Sequence, residues 1–442
     1  MGHGQKIDAW TSKVGELKEK VKRMLTTSKG SVEEMIMIDE IQRLGVAYHF
    51  EKEINDALEH IYDANAFSKF KDSGSNFKEG LSSDAEGLLS LYEAAFYGTH
   101  GEDTLDEAIS FTRGQLTSLM THLDGPLAAQ VGLALELPMR MRIPRLEARF
   151  YISLFQQQKG PNDVLLELAK LDFNLVQVNA SNGAKGADKV VEGHMPCSKV
   201  PFCKRSIGRR LLLDIGWDLS AMDQLPEYMR PCFLAVLNTV DEIEEELMPG
   251  VKFCRIDYLK HEMKAVVQAY FKEAQWLKTN YVPTLEEYLK ISLVTSGYFY
   301  LTAASYVGMG EEATKEAFDW LKTHPKFIMD SCLIGRLVDD IQSNEHEQKR
   351  AHVASAIECY MEEHGVSRPE ACQKIREMVT SAWKDINKFC LKPIPFPLSL
   401  LLRVVNLTRV IEVIYLHGDG YSNSFGKTKE MISAILVNPI PM

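Results

Sequence analysis

The sequence has no uninterrupted apolar run of the roughly 20 residues that a membrane-spanning helix needs. Its most apolar stretch, Leu398–Val405, is interrupted by Ser399 and Arg403. The first residues have neither the apolar core of a signal peptide nor the arginine- and serine-rich, acid-poor composition of a transit peptide. We therefore expect no membrane span and a cytoplasmic location.

Closely spaced cysteines and an excess of positive charge are also missing. The eight cysteines are scattered without a CxxC pair, which is typical of reduced thiols in a cytosolic protein. The 61 acidic side chains outnumber the 50 basic ones, for a net charge of −11. An acidic surface repels polyanions, so we expect no nucleic-acid partner.

Alternating β patterns are missing as well, and a 3.6-residue apolar period runs through most of the chain. Possible helix starts of the capping-box form S/T-x-x-E precede several of these periodic stretches. They are Ser31–Glu34, Ser83–Glu86, Thr104–Glu107, Thr284–Glu287 and Ser367–Glu370. The pattern predicts an all-α protein.

The length of 442 residues predicts two or three domains at roughly 150 residues each. A basic stretch with two prolines, Leu137–Arg149, interrupts the helical pattern. We place the boundary there, between an N-terminal domain of residues 1–149 and a C-terminal domain of residues 150–442. Residues 179–213 within the second domain are rich in glycine and basic residues, and we predict that this segment is irregular.

The strongest chemical pattern lies between Arg336 and Glu347. Four residues advance about 400° around a helix, so each step of four drifts by only about 40°. Asp339, Ser343 and Glu347 therefore share a helix face, Asp340 is adjacent, and Arg336 precedes them by one turn. Hard oxygen ligands of this kind suit Mg²⁺, and the arginine could hold a phosphate through a bidentate fork. The other interpretation of the same spacing is a charged, solvated helix face.

Two further acidic patterns are weaker. Asp241–Glu246 follows an amphipathic run, and we interpret it as a solvated helix end. Asp214 and Asp218 are spaced for one helix face but have Gly216 between them. Neither pattern competes with the Arg336–Glu347 stretch as a metal site.

The run Thr295–Gly308 combines aromatic, glycine and hydroxyl residues. Glycine and hydroxyl residues within an apolar helix favour a local break that exposes backbone carbonyls. Carbonyls and aromatic faces together could stabilise a buried cation. Aromatic packing in an ordinary core is the alternative.

With these residues in view, the chain resembles a plant terpene synthase of the sesquiterpene-forming type, a class I terpene cyclase. The resemblance rests on an ordered series of segments rather than on one motif. In the first half they include LGVAYHFEKEI (44–54), FKEGLSSDAEGLLSLYEAA (77–95) and PRLEARFYI (144–152). In the second half they include WDLSAMDQLPEYM (217–229), EAQWLKTNYVPTLEEY (273–288), RLVDDIQSNEHEQKR (336–350) and VIYLHGDGY (413–421).

The resemblance implies two helical domains, of which the first is a catalytically silent barrel-like domain and the second a bundle around an apolar pocket. It implies Mg²⁺-dependent ionisation and cyclisation of farnesyl diphosphate, with Mn²⁺ as an alternative ion. It also implies a small-molecule prenyl diphosphate as the partner, and we expect a monomer. The implied metal ligands are Asp339, Ser343 and Glu347, with Asp340 beside them. The implied diphosphate residues are Arg336, Lys204 and Arg205. The implied pocket residues are Thr295, Ser296, Tyr298, Tyr415, Asp419 and Tyr421.

One family element is missing from the sequence. The family carries an aspartate-rich DDxxD motif before the stretch that resembles WDLSAMDQLPEYM, whereas Asp339-Asp340 is the only Asp-Asp pair of this chain. We therefore expect the second domain to lack part of the family fold. An alternative to the active enzyme is a catalytically inactive relative from a truncated or aberrantly spliced gene.

Overall fold

The computed structural model describes residues 3–61, 71, 77–158, 160–192, 222, 225–247, 255–347, 353–421 and 425–442. The α-helices are α1 His3–Thr27, α2 Val32–Arg43, α3 Glu51–Ile61, α4 Ala85–Ala95, α5 Asp103–Leu119, α6 Gly125–Glu136, α7 Pro144–Phe155, α8 Asp163–Glu192, α9 Arg230–Glu246, α10 Arg255–Thr279, α11 Leu285–Thr295, α12 Tyr298–Val307, α13 Lys315–Lys322, α14 Lys326–Glu347, α15 Ala356–His364, α16 Arg368–Phe389, α17 Leu398–Ile414 and α18 Lys427–Leu436. Over these ranges the β-structure amounts to isolated bridges such as Lys71 with Phe77. The predicted all-α fold is confirmed, and no described helix is both long and apolar enough to cross a membrane.

The predicted helix starts are correct in part. Thr284 forms a full capping box with Glu287 at α11, and at α16 Glu370 accepts from both the backbone N–H and the hydroxyl of Ser367. Ser31 caps α2 by accepting from the Glu34 N–H.

The other two predicted starts are wrong. Asp84 caps α4 in place of Ser83, since its carboxylate accepts from the Gly87 N–H at 2.9 Å. The helix α5 begins at Asp103, so Thr104 already lies inside it. An aspartate one residue after a serine is an equally good cap, and spacing alone does not decide between them.

The chain divides into two compact units. The first consists of Met1–Gly98, Glu102–Asp188 and Asn423–Met442, and the second of Thr99–Gly101 and Lys189–Ser422. Residue 150, where we predicted a domain boundary, lies in α7 inside the first unit. The extents of 1–149 and 150–442 as family domains stay a prediction.

The prediction that residues 179–213 are irregular is wrong for the first part of that segment. The helix α8 continues through Glu192. Alanine and lysine within residues 179–192 favour helix, and Gly183 and Gly186 each cost only about 1 kcal/mol there. Residues 193–213 lie outside the described residues.

In the first unit, residues 423–442 complete the core that the early helices begin. Ile440 is buried in the same apolar cluster as Leu17 of α1, Ile41 of α2 and Phe155 of α7. The Asn174 side chain on α8 holds it in place, because its Nδ2 donates to the Ile440 carbonyl at 2.9 Å and its Oδ1 accepts from the Ile440 N–H at 2.7 Å.

In the second unit, α14 is the central helix and packs against α11, α12, α15, α16 and α17. Its apolar residues Phe327, Ile328, Ile334 and Leu337 are almost fully buried. Each such side chain contributes roughly 1.5–3 kcal/mol to stability. Because helices surround α14 on several sides, its polar side chains are also carried into the interior, where they need partners.

Candidate active site

Five polar side chains of α14 are buried, and they differ in whether they have a hydrogen-bond partner. Those side chains are Asp330, Ser331, Asp340, Ser343 and Asn344. Lys326 donates to Asp330, Ser331 shares a 2.7 Å hydrogen bond with Thr408, Tyr288 donates to Asp340, and Asn344 donates to Glu358.

Ser343 is the exception. It is 5% exposed, and its Oγ has no hydrogen-bond partner in the described part of the chain. An unpaired buried hydroxyl costs roughly 1–3 kcal/mol, so its retention calls for an explanation such as a missing ligand. Ser343 lies one turn after Asp339 on α14, where the sequence predicted a metal ligand.

Arg336 and Asp339 lie one turn before Ser343. Nη1 of Arg336 donates to Asp339 Oδ2 at 3.1 Å and lies 3.6 Å from Asp340 Oδ1. Burial alone would lower the pKa of Arg336, but the surrounding carboxylates, including Asp340 and Asp339, raise its pKa well above the ordinary value. The guanidinium is therefore a permanent cation in the middle of α14.

Asp340 has a different environment from its neighbour Asp339. It is 2% exposed, and its Oδ2 accepts from the Tyr288 hydroxyl and from the N–H of Ala356, both at 2.8 Å. Burial raises the pKa of Asp340 to about 7, against the opposing effects of Arg336 and the Ala356 N–H. Asp340 thus ties α14 to α11 and to the first residue of α15, an arrangement that suits an anchor better than a metal ligand.

The predicted break in the run after Thr295 is present. The helix α11 ends at Thr295, and α12 begins at Tyr298 after Gly297, whose φ of 79° is in the left-handed region that favours glycine. The hydroxyl of Tyr298 donates to the Leu407 carbonyl at 3.0 Å. A Cβ at Gly335 of α14 would come within 3.2 Å of the Tyr298 ring, so that glycine allows the ring to approach α14.

The segment that follows α17 lies near Asp339. Burial raises the pKa of Tyr415, and the nearby carboxylate of Asp339 raises it further. The ring centroids of Tyr415 and Tyr421 are 6.1 Å apart. Asp419 holds the turn, since its Oδ1 accepts from the Tyr421 N–H at 2.9 Å. The structure therefore brings Tyr415, Asp419 and Tyr421 near Asp339, one turn after Arg336 on α14.

Some predicted site residues cannot be placed. Lys204 and Arg205 lie outside the described residues, as does the side chain of Glu347, the last residue of α14. Among the described side chains, no three from His, Cys, Asp and Glu come together as a metal-binding group. Ser343 is not of those types. Of the predicted ligand set, the structure describes the side chains of Asp339, Asp340 and Ser343.

Sequence reasoning missed three residues of this site, Tyr270, Glu273 and Tyr288. Tyr270 and Glu273 are one turn apart on α10, and both contact Thr295 at the end of α11. Tyr288 binds Asp340 from α11. The sequence shows that Tyr270 and Glu273 are spaced for one helix face, but no local pattern indicates which residues that face contacts.

Comparison with known proteins identifies the family. The family model for the terpene synthase N-terminal domain matches residues 2–66 and 63–135, and that for the terpene synthase metal binding domain matches residues 210–385. A (-)-germacrene D synthase from Vitis vinifera is 40% identical over 97% of this chain and 90% of that protein. The chain belongs to the terpene synthase family. A beta-cubebene synthase from Magnolia grandiflora is also 40% identical, over 99% of this terpene synthase and 93% of that protein.

Solved structures agree with this terpene synthase in fold. Isoprene synthase from grey poplar, solved with three Mg²⁺ ions and dimethylallyl-S-thiolodiphosphate, has a TM-score of 0.87, is 26% identical and covers 98% of both chains. A limonene synthase with 2-fluorolinalyl diphosphate has a TM-score of 0.86 at 25% identity, over 98% of this chain and 95% of that one.

The relatives also contain residues that this terpene synthase lacks. The alignment with the germacrene D synthase runs over 504 residues, whereas this chain has 442. Such an alignment needs gaps in the present chain. The relative therefore has segments without a counterpart here.

Proposed function

We propose that the protein is a sesquiterpene synthase that binds farnesyl diphosphate with Mg²⁺ and ionises it to an allylic cation, which then cyclises. The observation that carries the proposal is the orphaned Ser343 hydroxyl beside Asp339, on a helix whose other buried polar side chains are paired. The names of the relatives support a sesquiterpene product, since one from Santalum spicatum, 40% identical over 97% of this chain and 90% of that protein, is called a sesquiterpene synthase.

The residues present fit a magnesium ion. Asp339 and Ser343 would hold it together with Glu347, and Mg²⁺ characteristically binds one or two carboxylates and completes its shell with water and substrate phosphate oxygens. When bound, the ion would stabilise the negative charge that develops on the departing diphosphate. We infer that Asp340 supports this helix from behind.

Arg336 would hold the diphosphate. Its contacts with Ser292, Thr295 and Asp339 use one N–H on each of its three nitrogens. Nη2 keeps one N–H without a hydrogen-bond partner in the described part of the chain, and Nη1 also lies 3.6 Å from Asp340 Oδ1. A diphosphate oxygen pair matches the fork that these two nitrogens form. As the C–O bond breaks, its electron pair goes to the diphosphate, and a fixed guanidinium stabilises that charge without reorganising. Lys204 and Arg205 stay predicted contributors to the same task.

The aromatic and hydroxyl residues would enclose the carbocation. Tyr298 at the α11–α12 break presents a ring beside α14, and Thr295 and Ser296 carry the carbonyls of the last α11 turn. Aromatic faces and carbonyl dipoles stabilise a cation, and an enclosed pocket keeps water from quenching it. We propose that the segment with Tyr415, Asp419 and Tyr421 closes over the site.

A second candidate is a family member that binds the diphosphate but turns it over slowly or not at all. Two observations favour it: the sequence has no DDxxD string, and the relatives contain segments without a counterpart here. A site built in a helical bundle draws its carboxylates from facing helices. If the missing segment held the opposing carboxylates, α14 would supply half of the metal site.

Two measurements test these candidates. Calorimetry with Mg²⁺ and an unreactive diphosphate analogue should show binding that requires both and that Asp339→Ala abolishes. Incubation with farnesyl diphosphate and Mg²⁺, with products identified by mass, then separates the candidates. A cyclic sesquiterpene supports the synthase, binding without product supports the inactive relative, and the absence of binding contradicts both.

A further inference from the structure

A contact chain leads from α10 through the end of α11 to the guanidinium of Arg336. The Thr295 hydroxyl lies 2.6 Å from Glu273 Oε1 and accepts from Arg336 Nη2 at 3.2 Å. Thr295 is 3% exposed, so water does not compete for this hydroxyl. Three side chains from three helices are therefore joined through one oxygen atom.

The direction of the hydroxyl proton decides what this chain can do. A hydroxyl has one proton, and the Thr295 Oγ1 has two acceptors in reach, Glu273 Oε1 at 2.6 Å and the Ser292 carbonyl at 3.2 Å. The shorter contact to a carboxylate is the stronger hydrogen bond. When the proton points at Glu273, the oxygen lone pairs are free to accept from Arg336 Nη2.

The last turn of α11 is held to α10 at a second point. The Tyr270 hydroxyl, one turn before Glu273, donates to the Thr295 carbonyl at 3.1 Å. This contact fixes the backbone of Thr295 next to the break at Gly297. The side chain of Thr295 is thus presented to Arg336 from a fixed position, and its orientation depends on Glu273.

We propose that Glu273 is a positioning residue for diphosphate binding: through the Thr295 hydroxyl it holds Arg336 Nη2, so that the remaining N–H groups of the guanidinium face the diphosphate. The proposal rests on the proposed function of the site. The guanidinium donates to Asp339 through Nη1 and to Thr295 through Nη2 at the same time, and without the Thr295 contact it could turn about its Asp339 side. The Glu273 contact fixes the Thr295 side of the guanidinium before the ligand arrives, which lowers the cost of binding.

The test measures the affinity of the full chain for inorganic pyrophosphate in the presence of Mg²⁺, by calorimetry, together with the melting temperature of each variant. Glu273→Ala should weaken binding roughly tenfold, and Glu273→Gln, which retains an acceptor oxygen, about threefold. Thr295→Val should match Glu273→Ala, whereas Thr295→Ser, which restores the hydroxyl, should bind as the parent does. Glu286→Ala, which removes a carboxylate exposed on α11, is the matched control and should leave the affinity unchanged.

A double-mutant cycle shows whether the effect passes through the arginine. In the Arg336→Ala background, Glu273→Ala should cause no further loss, because the residue it positions is gone. An equal loss in that background, or parent affinity in both Glu273 variants while Arg336→Ala binds weakly, overturns the inference and leaves the proposed function intact. A parent protein that does not bind pyrophosphate with Mg²⁺ contradicts the proposed function, and the inference falls with it.

Discussion

Two buried ionic clusters, one in each unit, differ in how their charges are matched. In the first unit, Arg142 pairs with Glu93 at 2.7 Å and with Glu147 at 2.5 Å, and Arg43 lies 3.5 Å from the other Glu147 oxygen. The two arginines thus face two buried glutamates, and Arg43 also lies 4.0 Å from the exposed Asp39. In the second unit, Arg336 is the one cation among the described residues that pairs with Asp339 and Asp340.

The comparison indicates which buried charges have a ligand to meet. A cluster that balances itself can serve the fold alone, whereas two carboxylates that share one described arginine, on a helix with an unpaired hydroxyl, have room for a further cation. Burial was similar in both places, so burial does not separate structure from function here. The number of arginines relative to the buried and half-buried carboxylates does.

The largest effect should follow from unbalancing the matched cluster. Arg142→Ala leaves Glu93 and Glu147 buried without their shared cation, and we expect the free energy of unfolding to fall by about 3–5 kcal/mol. Urea unfolding measures the change. Lys374→Ala, which breaks an exposed pair with Glu377, is the control and should cost less than about 1 kcal/mol. A similar small cost for Arg142→Ala would contradict the structural role of this cluster.

Relieving the unmatched cluster should affect binding rather than folding. Asp339→Asn retains the size of the side chain but removes a negative charge, so we expect pyrophosphate binding with Mg²⁺ to weaken about 100-fold, while the unfolding free energy changes by less than about 1 kcal/mol. Calorimetry and urea unfolding on the same sample give both values. Parent-like binding would show that this end of α14 is a solvated face.

The start of α14 contains a paired acid, Asp330, that can be compared with Asp339 on the same helix. Asp330 accepts from Lys326 Nζ at 2.8 Å, and burial raises the pKa of Asp330 to about 6, although Lys326 and His100 lower it while Asp385 raises it further. The folded chain thus binds this proton more tightly than the unfolded chain does. The contribution to stability is complete below the unfolded pKa near 4 and is lost as the pH rises to about 6.

Asp330→Asn removes that titration. The stability of the variant relative to the parent should therefore increase from pH 4.5 to pH 7, by on the order of 1–2 kcal/mol. Melting temperatures of both proteins at the two pH values measure it. A constant difference across this range would mean that the ion pair with Lys326, rather than burial, sets the protonation of Asp330.

The smallest effect should come from two serines on the same helix. Ser343→Ala removes a hydroxyl without a hydrogen bond, so we expect unchanged or slightly higher stability and about tenfold weaker pyrophosphate binding with Mg²⁺. Ser331→Ala removes a hydroxyl bonded to Thr408 and should cost about 1 kcal/mol with no effect on binding. The opposite pattern, stability lost at Ser343 and binding at Ser331, would reverse our assignment of the two hydroxyls.

Periodicity and caps were enough to predict the helices, because they depend on neighbours within one turn or two. Thr284 and Ser367 were found in this way. Two predictions failed for reasons that are also local. At Ser83 a competing cap, Asp84, lies one residue away, and in residues 179–192 alanine and lysine offset the small helix penalty of the glycines.

The site was predictable along α14 and not across helices. A step of four residues places Asp339 and Ser343 on one face of the helix. Adjacent acids differ by about 100° on a helix, and which of them is buried depends on Tyr288 and on the start of α15. The contact of Glu273 with Thr295 joins residues 22 positions apart on different helices, and no local pattern predicts it.

The docking of Ile440 against Asn174 has a consequence for the order of synthesis. Residues 189–422 emerge from the ribosome before residues 423–442, which complete the core of the first unit. The early helices must therefore wait, with part of their apolar surface uncovered, while nearly all of the second unit is translated. At roughly 5–20 residues per second that interval lasts on the order of 10 to 50 seconds, during which chaperones could bind the exposed surface.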